Sequence, residues 1–169
     1  MCGNMSFREA LEKRLNIIKP SLKNLNDFND LDKSSKLTPG IKYRIIYIRF
    51  FHSSIINFNY CRELVEILHK RKVHVYLVSG GFKITINQVA DKLKIERKNI
   101  FANEILFDEN GEFNGFCKEQ PTSESGGKPR VMQILREKFN YKTIIMVGDG
   151  MTDLESCPPA VNFYFSFIN

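Results

Sequence analysis

The segment VYLVSGGFKITINQVADKL, residues 75–93, decides the fold of this chain. Residues 73–78 form an apolar run, and Ser79-Gly80-Gly81 follows it. Apolar residues then recur with helical spacing over residues 83–93. The pattern predicts a buried strand, a tight turn and a helix, in that order.

A second strand is predicted further along the chain, at residues 143–147. It leads into the glycine-rich sequence GDGMTD, residues 148–153, and it is preceded by a predicted helix at residues 129–139. Pro129 suits the first position of that helix, where its missing N–H has no consequence. Buried strands with intervening helices indicate an α/β sheet, in which ligands bind beyond the carboxyl ends of the strands.

Two other regions have clear local signals. Asp108-Glu109-Asn110-Gly111 separates apolar residues 100–107 from residues 112–116, which predicts a β-hairpin. Near the start, Ser6 and Glu9 form a capping box for a helix that ends before Pro20, and a second helix is predicted at residues 21–31. Residues 34–40 read as a linker, so a boundary is expected near residue 40.

Composition limits the class of protein. The 169 residues, 43% of them apolar, suffice for one domain, or for a domain with a small appendage. The net charge of +6 suits a polyanion or a small phosphorylated ligand equally well. Cys2, Cys61, Cys117 and Cys157 are too far apart for a zinc knuckle or a redox CxxC motif, so reduced thiols are expected.

The sequence predicts neither a signal peptide nor a membrane-spanning helix. The start, MCGNMSFREALEKR, becomes charged before an apolar signal segment can form, which favours the cytoplasm. Residues 41–60 are the most apolar long stretch, but Lys42, Arg44 and Arg49 interrupt them. Because a membrane-spanning helix needs about 20 mostly apolar residues, none is predicted.

Polar residues at the two strand ends are the candidate site. Ser79, Gly80 and Gly81 would offer a hydroxyl and unobstructed amides to an anion at a helix N-terminus. A plain glycine turn would explain the same residues. Asp149 and Asp153 could provide oxygen ligands for Mg2+, although each could equally be a helix cap.

Lys128 is the candidate cation, in a predicted flexible loop before a helix, where its ammonium group could reach a phosphoryl oxygen. It is not the lysine of a nucleotide-binding P-loop. That motif needs glycine in place of Thr122 and serine or threonine in place of Pro129.

The ordered set of a strand-end serine, a lysine and a strand-end acidic pair resembles the haloacid dehalogenase superfamily of phosphatases, and within it the phosphoserine phosphatase family. The resemblance rests on LTPGI (37–41), VYLVSGGF (75–82), IFANEILFDENGEFNGF (100–116), QPTSESGGK (120–128) and MVGDGMTDLESCPPA (146–160). It implies an incomplete Rossmann-like parallel sheet core of the haloacid dehalogenase type with a small helical cap. The expected regions are a cap at residues 1–40, an insertion at 41–61, the core at 62–160 and a divergent tail at 161–169.

The resemblance also implies an activity, the hydrolysis of L-phosphoserine to L-serine and phosphate in serine biosynthesis, with Mg2+ as cofactor. Ser79, Gly80 and Gly81 would bind the phosphoryl oxygens and Lys128 would neutralise their charge. Asp149 would ligate the metal and Asp153 would orient its coordination shell. Thr152 would contact the substrate, Arg14 would receive its carboxylate, and Met1 would line the pocket. Cys2 stands where the family has glycine.

One family motif is missing. Members begin with an apolar strand that ends in DxDx[TV], whose first aspartate is the nucleophile. The 169 residues contain no such sequence, so an N-terminally truncated chain is expected. Asp30-Leu31-Asp32 is the one partial match, but its polar, helical surroundings favour a helix end.

Residues 43–60, YRIIYIRFFHSSIINFNY, interrupt the resemblance. They are compatible with a family-specific insertion, a gene-model error such as a retained intron, or an aromatic and basic strip for single-stranded nucleic acid. The second explanation is favoured because it also accounts for the unusual start and the ending FYFSFIN. No nucleic-acid or membrane partner is therefore expected.

Two functions follow as hypotheses. The first is a phosphomonoesterase of the phosphoserine type, represented by an incomplete chain. The second is a non-catalytic relative that binds phosphate and Mg2+ without turnover. In both cases the expected partner is a small phosphorylated compound, and the oligomeric state stays open.

Overall fold

The computed structural model describes residues 5–31, 58–148 and 150–165. Met1, Cys2 and Asp149 lie outside the described residues, as do Asp32, the predicted linker and most of the predicted insertion. The expectations for those positions therefore stay predictions.

Six helices and six strands make up the described part of the chain. The helices are α1 (Phe7–Ile18), α2 (Leu22–Leu31), α3 (Phe58–Lys70), α4 (Lys83–Leu93), α5 (Gly127–Phe139) and α6 (Met151–Leu154). The strands are β1 (Leu77–Phe82), β2 (Ile100–Asn103), β3 (Ile105–Phe107), β4 (Phe113–Phe116), β5 (Ile145–Gly148) and β6 (Asn162–Phe165). Single 3-10 turns lie at Arg97–Asn99 and Pro121–Ser123.

The strands form three sheets of two strands each within the described residues. β1 pairs with β2 in parallel, and α4 makes the crossover that a parallel pair requires. β5 and β6 form a second parallel pair, while β3 and β4 form the antiparallel hairpin predicted around Asn110-Gly111. The α/β fold class expected from the sequence is confirmed.

Helix α1 begins and ends as its sequence predicts. The Ser6 hydroxyl accepts a hydrogen bond from the Glu9 amide at 3.2 Å, and the Glu9 carboxylate accepts one from the Ser6 amide at 2.8 Å. The helix ends at Lys19, which adopts the left-handed conformation with φ of 43° directly before Pro20. Leu15 is the buried side chain of this helix. α1 packs against β4 and the Pro121–Ser123 turn.

Several boundaries differ from the predictions, such as that of β5, which is Ile145–Gly148 instead of 143–147. Three differences concern the first strand, residues 100–107 and α5. The first strand starts at Leu77 and runs through Ser79-Gly80-Gly81 to Phe82, so the predicted tight turn is wrong. These residues are a strand end instead, because a register shift between Val78 and Phe82 absorbs the extra length against β2. Residues 100–107 are divided into β2 and β3 rather than forming one strand.

The third difference concerns α5, which begins at Gly127 and not at Pro129. Gly126 has a φ of 70°, and the Gly127 amide donates to the Glu124 carbonyl at 3.2 Å, so the chain turns into the helix earlier. Lys128 consequently lies in the first turn of a helix. Its predicted place in a flexible loop is wrong.

Two apolar clusters hold these elements together. The first lies between α3, α4 and β2 and contains Val65, Ala90, Leu93, Ile95, Ile100 and Ala102. In the second, Met132 of α5 and Met146 of β5 pack together with Ala160, and Val78 of β1 packs against them. The second cluster therefore packs β1, β5 and α5 against one another.

No helix in the described ranges is long and apolar enough to cross a membrane.

Candidate phosphate-binding site

The end of β1 presents a hydroxyl and an open backbone. Ser79 is half-buried, and its Oγ accepts a hydrogen bond from the Gly81 amide at 3.0 Å. Gly80 is exposed, so no side chain covers this part of the strand. Helix α4 starts directly afterwards, and its N-cap residue, Phe82, makes no side-chain capping bond. The backbone at this strand end is therefore open, and its binding of an anion stays a prediction.

Asn103 forms a hydrogen bond to the backbone of this strand end. Its side chain is fully buried, and its Nδ2 donates to the Gly80 carbonyl at 2.8 Å. Its Oδ1 accepts a hydrogen bond from the Thr122 hydroxyl at 2.9 Å. Sequence reasoning missed both residues. The signal that could have identified Asn103 is a lone amide at the end of an apolar strand, where burial requires hydrogen-bond partners.

Lys128 and Asp153 form the charged part of the site. The Lys128 ammonium lies 2.5 Å from Asp153 Oδ1, and the two side chains are only 19% and 6% exposed. Asp153 Oδ2 accepts a hydrogen bond from the Gly150 amide at 3.0 Å. A Cβ on Gly148 would lie 2.2 Å from Asp153 Cγ, so this carboxylate needs glycine beside it. The sequence predicted both charged residues but not their pairing.

Helix α1 lies beside the end of β1. The Phe7 ring approaches Gly80, with its Cζ 3.9 Å from the place that a Cβ on Gly80 would occupy. Arg14 follows Phe7 by two helical turns, which puts it on the same face of α1 at a rise of about 10 Å. Arg14 is exposed. The helix that carries the predicted carboxylate-binding residue is thus next to the candidate site.

Arg8 joins α1 to the loop that precedes α5 through hydrogen bonds and an ion pair. Its guanidinium donates to the Lys118 carbonyl at 2.8 Å and to the Ser123 hydroxyl at 3.1 Å, and it pairs with the Glu124 carboxylate at 2.6 Å. A second ion pair joins Lys118 to Glu12 at 3.0 Å. Sequence reasoning missed Arg8, because a basic residue in the first turn of a helix predicts nothing about a distant loop.

The remaining predicted residues are only partly described. Thr152 is exposed in α6 and lies near Gly150, with its Oγ1 3.7 Å from the place that a Cβ there would occupy. Of the two predicted metal ligands, Asp153 is described and Asp149 is not. Within the ranges that the structure describes, no three His, Cys, Asp or Glu residues are grouped so that they could hold a metal ion.

An α/β unit with donors and a buried lysine–aspartate pair at its strand ends is suited to phosphate chemistry, and the comparison with known families agrees. The chain belongs to the haloacid dehalogenase-like hydrolase family, whose model matches residues 1–160. This confirms the family resemblance inferred from the sequence.

Individual relatives are more specific. Phosphoserine phosphatase of Homo sapiens is 44% identical over 163 residues, which are 96% of this chain and 63% of the human protein. The chloroplastic phosphoserine phosphatase of Arabidopsis thaliana is 43% identical over 94% of this chain and 47% of its own length.

Among solved structures, a phosphoserine phosphohydrolase-like protein from Francisella tularensis matches with a TM-score of 0.66 and 28% identity, over 95% of this chain and 65% of that chain. The chain therefore spans less than two thirds of the length of these relatives.

Proposed function

We propose that this chain is part of a phosphomonoester hydrolase whose substrate is L-phosphoserine and whose products are L-serine and inorganic phosphate. The observation that carries the proposal is the shielded Lys128–Asp153 pair, because helix α5, which carries Lys128, packs against β1, the strand that ends with Ser79, Gly80 and Gly81. The names of the curated relatives support the choice of substrate. They do not favour a non-catalytic phosphate-binding relative.

The strand end and the lysine would share the work of binding. The Ser79 hydroxyl and the Gly80 amide donate to phosphoryl oxygens, and the Gly81 amide exchanges its bond to Ser79 Oγ for one to phosphate. The first turn of α4 adds a favourable dipole. Lys128 provides a full positive charge, which strengthens each hydrogen bond that it donates to an anion. Asp153 holds the ammonium in place until substrate arrives. Thr152, Arg14 and Met1 would contact the rest of the substrate.

The residues present fit a divalent cation, which we propose to be Mg2+. Carboxylate oxygens are the hard ligands that Mg2+ prefers. Asp153 Oδ1 accepts a hydrogen bond from Lys128 and Oδ2 accepts one from Gly150, which fixes the orientation of this carboxylate. Asp149 would be the direct ligand and Asp153 would orient the coordination shell. Bound Mg2+ would add neutralising charge at the phosphoryl oxygens.

The covalent step needs a nucleophile that these 169 residues do not contain. In the family, an aspartate of DxDx[TV] attacks phosphorus and water then opens the aspartyl-phosphate. The sequence holds no DxDx[TV] motif. The roles proposed for this chain are therefore binding, orientation and charge neutralisation, at the cytoplasmic location expected from the sequence.

The test compares binding with turnover. L-phosphoserine, O-phosphoethanolamine and L-serine are titrated into the 15N-labelled chain with Mg2+ present, and phosphate release is measured in parallel. We expect L-phosphoserine to bind most tightly, because only it offers both a phosphate and a carboxylate. We expect no release from the 169-residue chain, and release after an apolar strand ending in DxDx[TV] is fused before Met1.

Two results would contradict the proposal. One is a folded chain that responds equally to L-serine and L-phosphoserine. The other is turnover by the unfused chain that disappears in Asp30→Asn or Asp32→Asn, since this would move the nucleophile to a segment that we interpret as a helix end.

A further inference from the structure

The Asn103 side chain bonds two separate parts of the molecule while being completely buried. Its amide nitrogen donates to the Gly80 carbonyl in β1, and its amide oxygen accepts from Thr122 in the turn before α5. Thr122 is itself only 3% exposed. Such a buried, hydrogen-bonded pair has no competing water, so its geometry is well defined.

The bond to Gly80 controls the direction of the Gly81 amide. The carbonyl of Gly80 and the N–H of Gly81 belong to one planar trans peptide, so they point in opposite directions. Asn103 fixes the carbonyl end, and the Ser79 hydroxyl accepts from the N–H end. Two consecutive glycines would otherwise have wide conformational freedom at this position. The donors proposed to bind phosphate are thus oriented by a residue behind them.

The bond to Thr122 extends this control towards Lys128. Thr122 lies in the Pro121–Ser123 turn, and Gly127 packs directly against it. A Cβ on Gly127 would lie 2.8 Å from the Thr122 Cα and 2.3 Å from the Pro121 carbonyl oxygen. The start of α5, which carries Lys128, therefore has a close backbone contact with the turn that Asn103 holds.

We propose that Asn103 is a positioning residue, which with Thr122 sets the direction of the Gly81 amide and the place of Lys128 relative to it. The inference rests on the proposed function, because it concerns the same phosphate-binding groups. Asn103 contacts no substrate. It acts through the Gly80–Gly81 peptide on one side and through the Thr122 turn on the other.

A control at Asn99 distinguishes a positioning role of Asn103 from a purely structural one. Asn99 also donates from its Nδ2 to a backbone carbonyl of the neighbouring segment, that of Val75 at 3.2 Å. It does so beside the opposite end of the β1–β2 pair, away from the candidate site. Asn99→Ala and Asn103→Ala therefore each delete an amide-to-carbonyl bond, and Asn103→Ala also deletes the bond from Thr122. Only the deletion at Asn103 reaches Gly81.

The experiment titrates inorganic phosphate into the 15N-labelled 169-residue chain and its variants, following the Gly80 and Gly81 amides, and records thermal unfolding for each. We expect Asn103→Ala and Thr122→Val each to weaken phosphate binding about fivefold to tenfold, in line with the loss of one hydrogen bond. Thr122→Ser should restore parent binding, and the double variant should bind no more weakly than Asn103→Ala, because the two residues act in one chain of contacts. Asn99→Ala should leave binding unchanged even if it lowers the unfolding temperature.

The other outcomes contradict either the positioning role of Asn103 or the proposed function. Folded Asn103→Ala that binds phosphate like the parent, or Asn99→Ala that weakens binding equally, overturns the positioning role. A parent that does not bind phosphate contradicts the proposed function. The positioning claim is then decided by hydrogen exchange without ligand, where Asn103→Ala must speed exchange of the Gly81 amide and Asn99→Ala must not. If Asn103→Ala melts too early for a titration, the exchange comparison is made on Thr122→Val, which must speed exchange of the Gly81 amide while Asn99→Ala must not.

Discussion

Lys128 and Asp153, which are 25 residues apart in the sequence, form an ion pair with 2.5 Å between the ammonium nitrogen and a carboxylate oxygen. Water has little access to either side chain. The pair keeps a positive charge in place beside the strand ends without leaving it uncompensated. Such a pair contributes to function more clearly than to stability, since burying both charges costs about what their attraction returns.

Removing one member of this pair should therefore lower the free energy of unfolding more than removing both. We expect Lys128→Met to lower the free energy of unfolding by about 3 kcal/mol, because the buried Asp153 carboxylate loses its ammonium partner. The double variant Lys128→Met/Asp153→Leu should recover most of that loss, while phosphate binding stays absent in both. Urea unfolding followed by circular dichroism measures the difference.

The matched control for that experiment is the exposed Lys98–Glu96 pair, with 2.6 Å between its charged atoms. Lys98→Met should change the free energy of unfolding by no more than about 1 kcal/mol, as surface pairs do. Equal losses for Lys98→Met and Lys128→Met would mean that burial does not distinguish the two pairs.

Phosphate and Mg2+ should bind weakly and cooperatively. The cation and the anion neutralise one another in the same region, so each should tighten the binding of the other by an equal factor. Calorimetric titration of Mg2+ with and without phosphate measures this factor for the parent, Asp149→Asn and Asp153→Asn. Coupling should be lost in Asp149→Asn. A parent whose response to Mg2+ ignores both phosphate and Asp149 would show that these residues do not form a metal site in this chain.

Gly127 should tolerate no side chain. A Cβ at this position would lie 2.3 Å from the Pro121 carbonyl oxygen, and backbone atoms cannot yield as a flexible side chain does. We expect Gly127→Ala to lower the free energy of unfolding by about 1–3 kcal/mol, the usual cost of overpacking.

Gly150→Ala provides the comparison for Gly127→Ala. Its nearest neighbour, an Asp153 oxygen, would lie at an ordinary 3.5 Å, so the change should be much smaller. Thermal or urea unfolding measures which variant loses more stability. A larger loss for Gly150→Ala would show that the contact with Pro121 does not determine the cost of a side chain at Gly127.

The capping box of α1 should make its stability depend on acid. The hydrogen bond from the Ser6 amide is the main cause that holds the pKa of Glu9 below its ordinary value, and the Ser6 hydroxyl also lowers it. A carboxylate whose pKa is lower in the folded state contributes stability above its unfolded pKa and loses it as the pH falls through the folded pKa. The contribution of Glu9 should therefore be constant at neutral pH and decline below about pH 4.5.

Thermal unfolding from pH 7 to pH 3 tests this prediction on the parent and on Glu9→Gln. The difference between them should shrink as the pH falls through that window, because the glutamine cannot titrate. Glu155→Gln, at an exposed position outside α1, provides the control. A parent and a Glu9→Gln variant whose curves differ by the same amount throughout would contradict the prediction.

Local sequence signals predicted the parts of this fold that depend on neighbouring residues. The Ser6–Glu9 box placed the start of α1, and Asn110-Gly111 placed the hairpin between β3 and β4. Both signals act within a few residues, so no knowledge of the tertiary structure was needed. Lys128 and Asp153 were each named from the sequence as candidate site residues, and the structure pairs them, while their roles in binding stay predictions.

The remaining features depend on contacts between distant segments. β1 continues through Ser79-Gly80-Gly81 because it pairs with β2, although two glycines in a row are typical of a turn. Asn103 could not be recognised, since its importance comes from Gly80 and Thr122, 23 and 19 residues away. Propensity describes single residues, whereas these roles are properties of pairs.

The division of the parallel strands into two separate pairs has a consequence for how the molecule unfolds. In the described residues, no backbone ladder joins β1 to β5; the apolar cluster of Val78, Met132 and Met146 connects them, together with the hydroxyl groups of Tyr76 and Tyr141 at 2.7 Å. Side-chain contacts of this kind couple the unfolding of two strand pairs less strongly than a shared backbone hydrogen-bond ladder does. The two halves should therefore open separately, so that amide exchange in the β1–β2 half and in the β5–β6 half reports two different opening free energies.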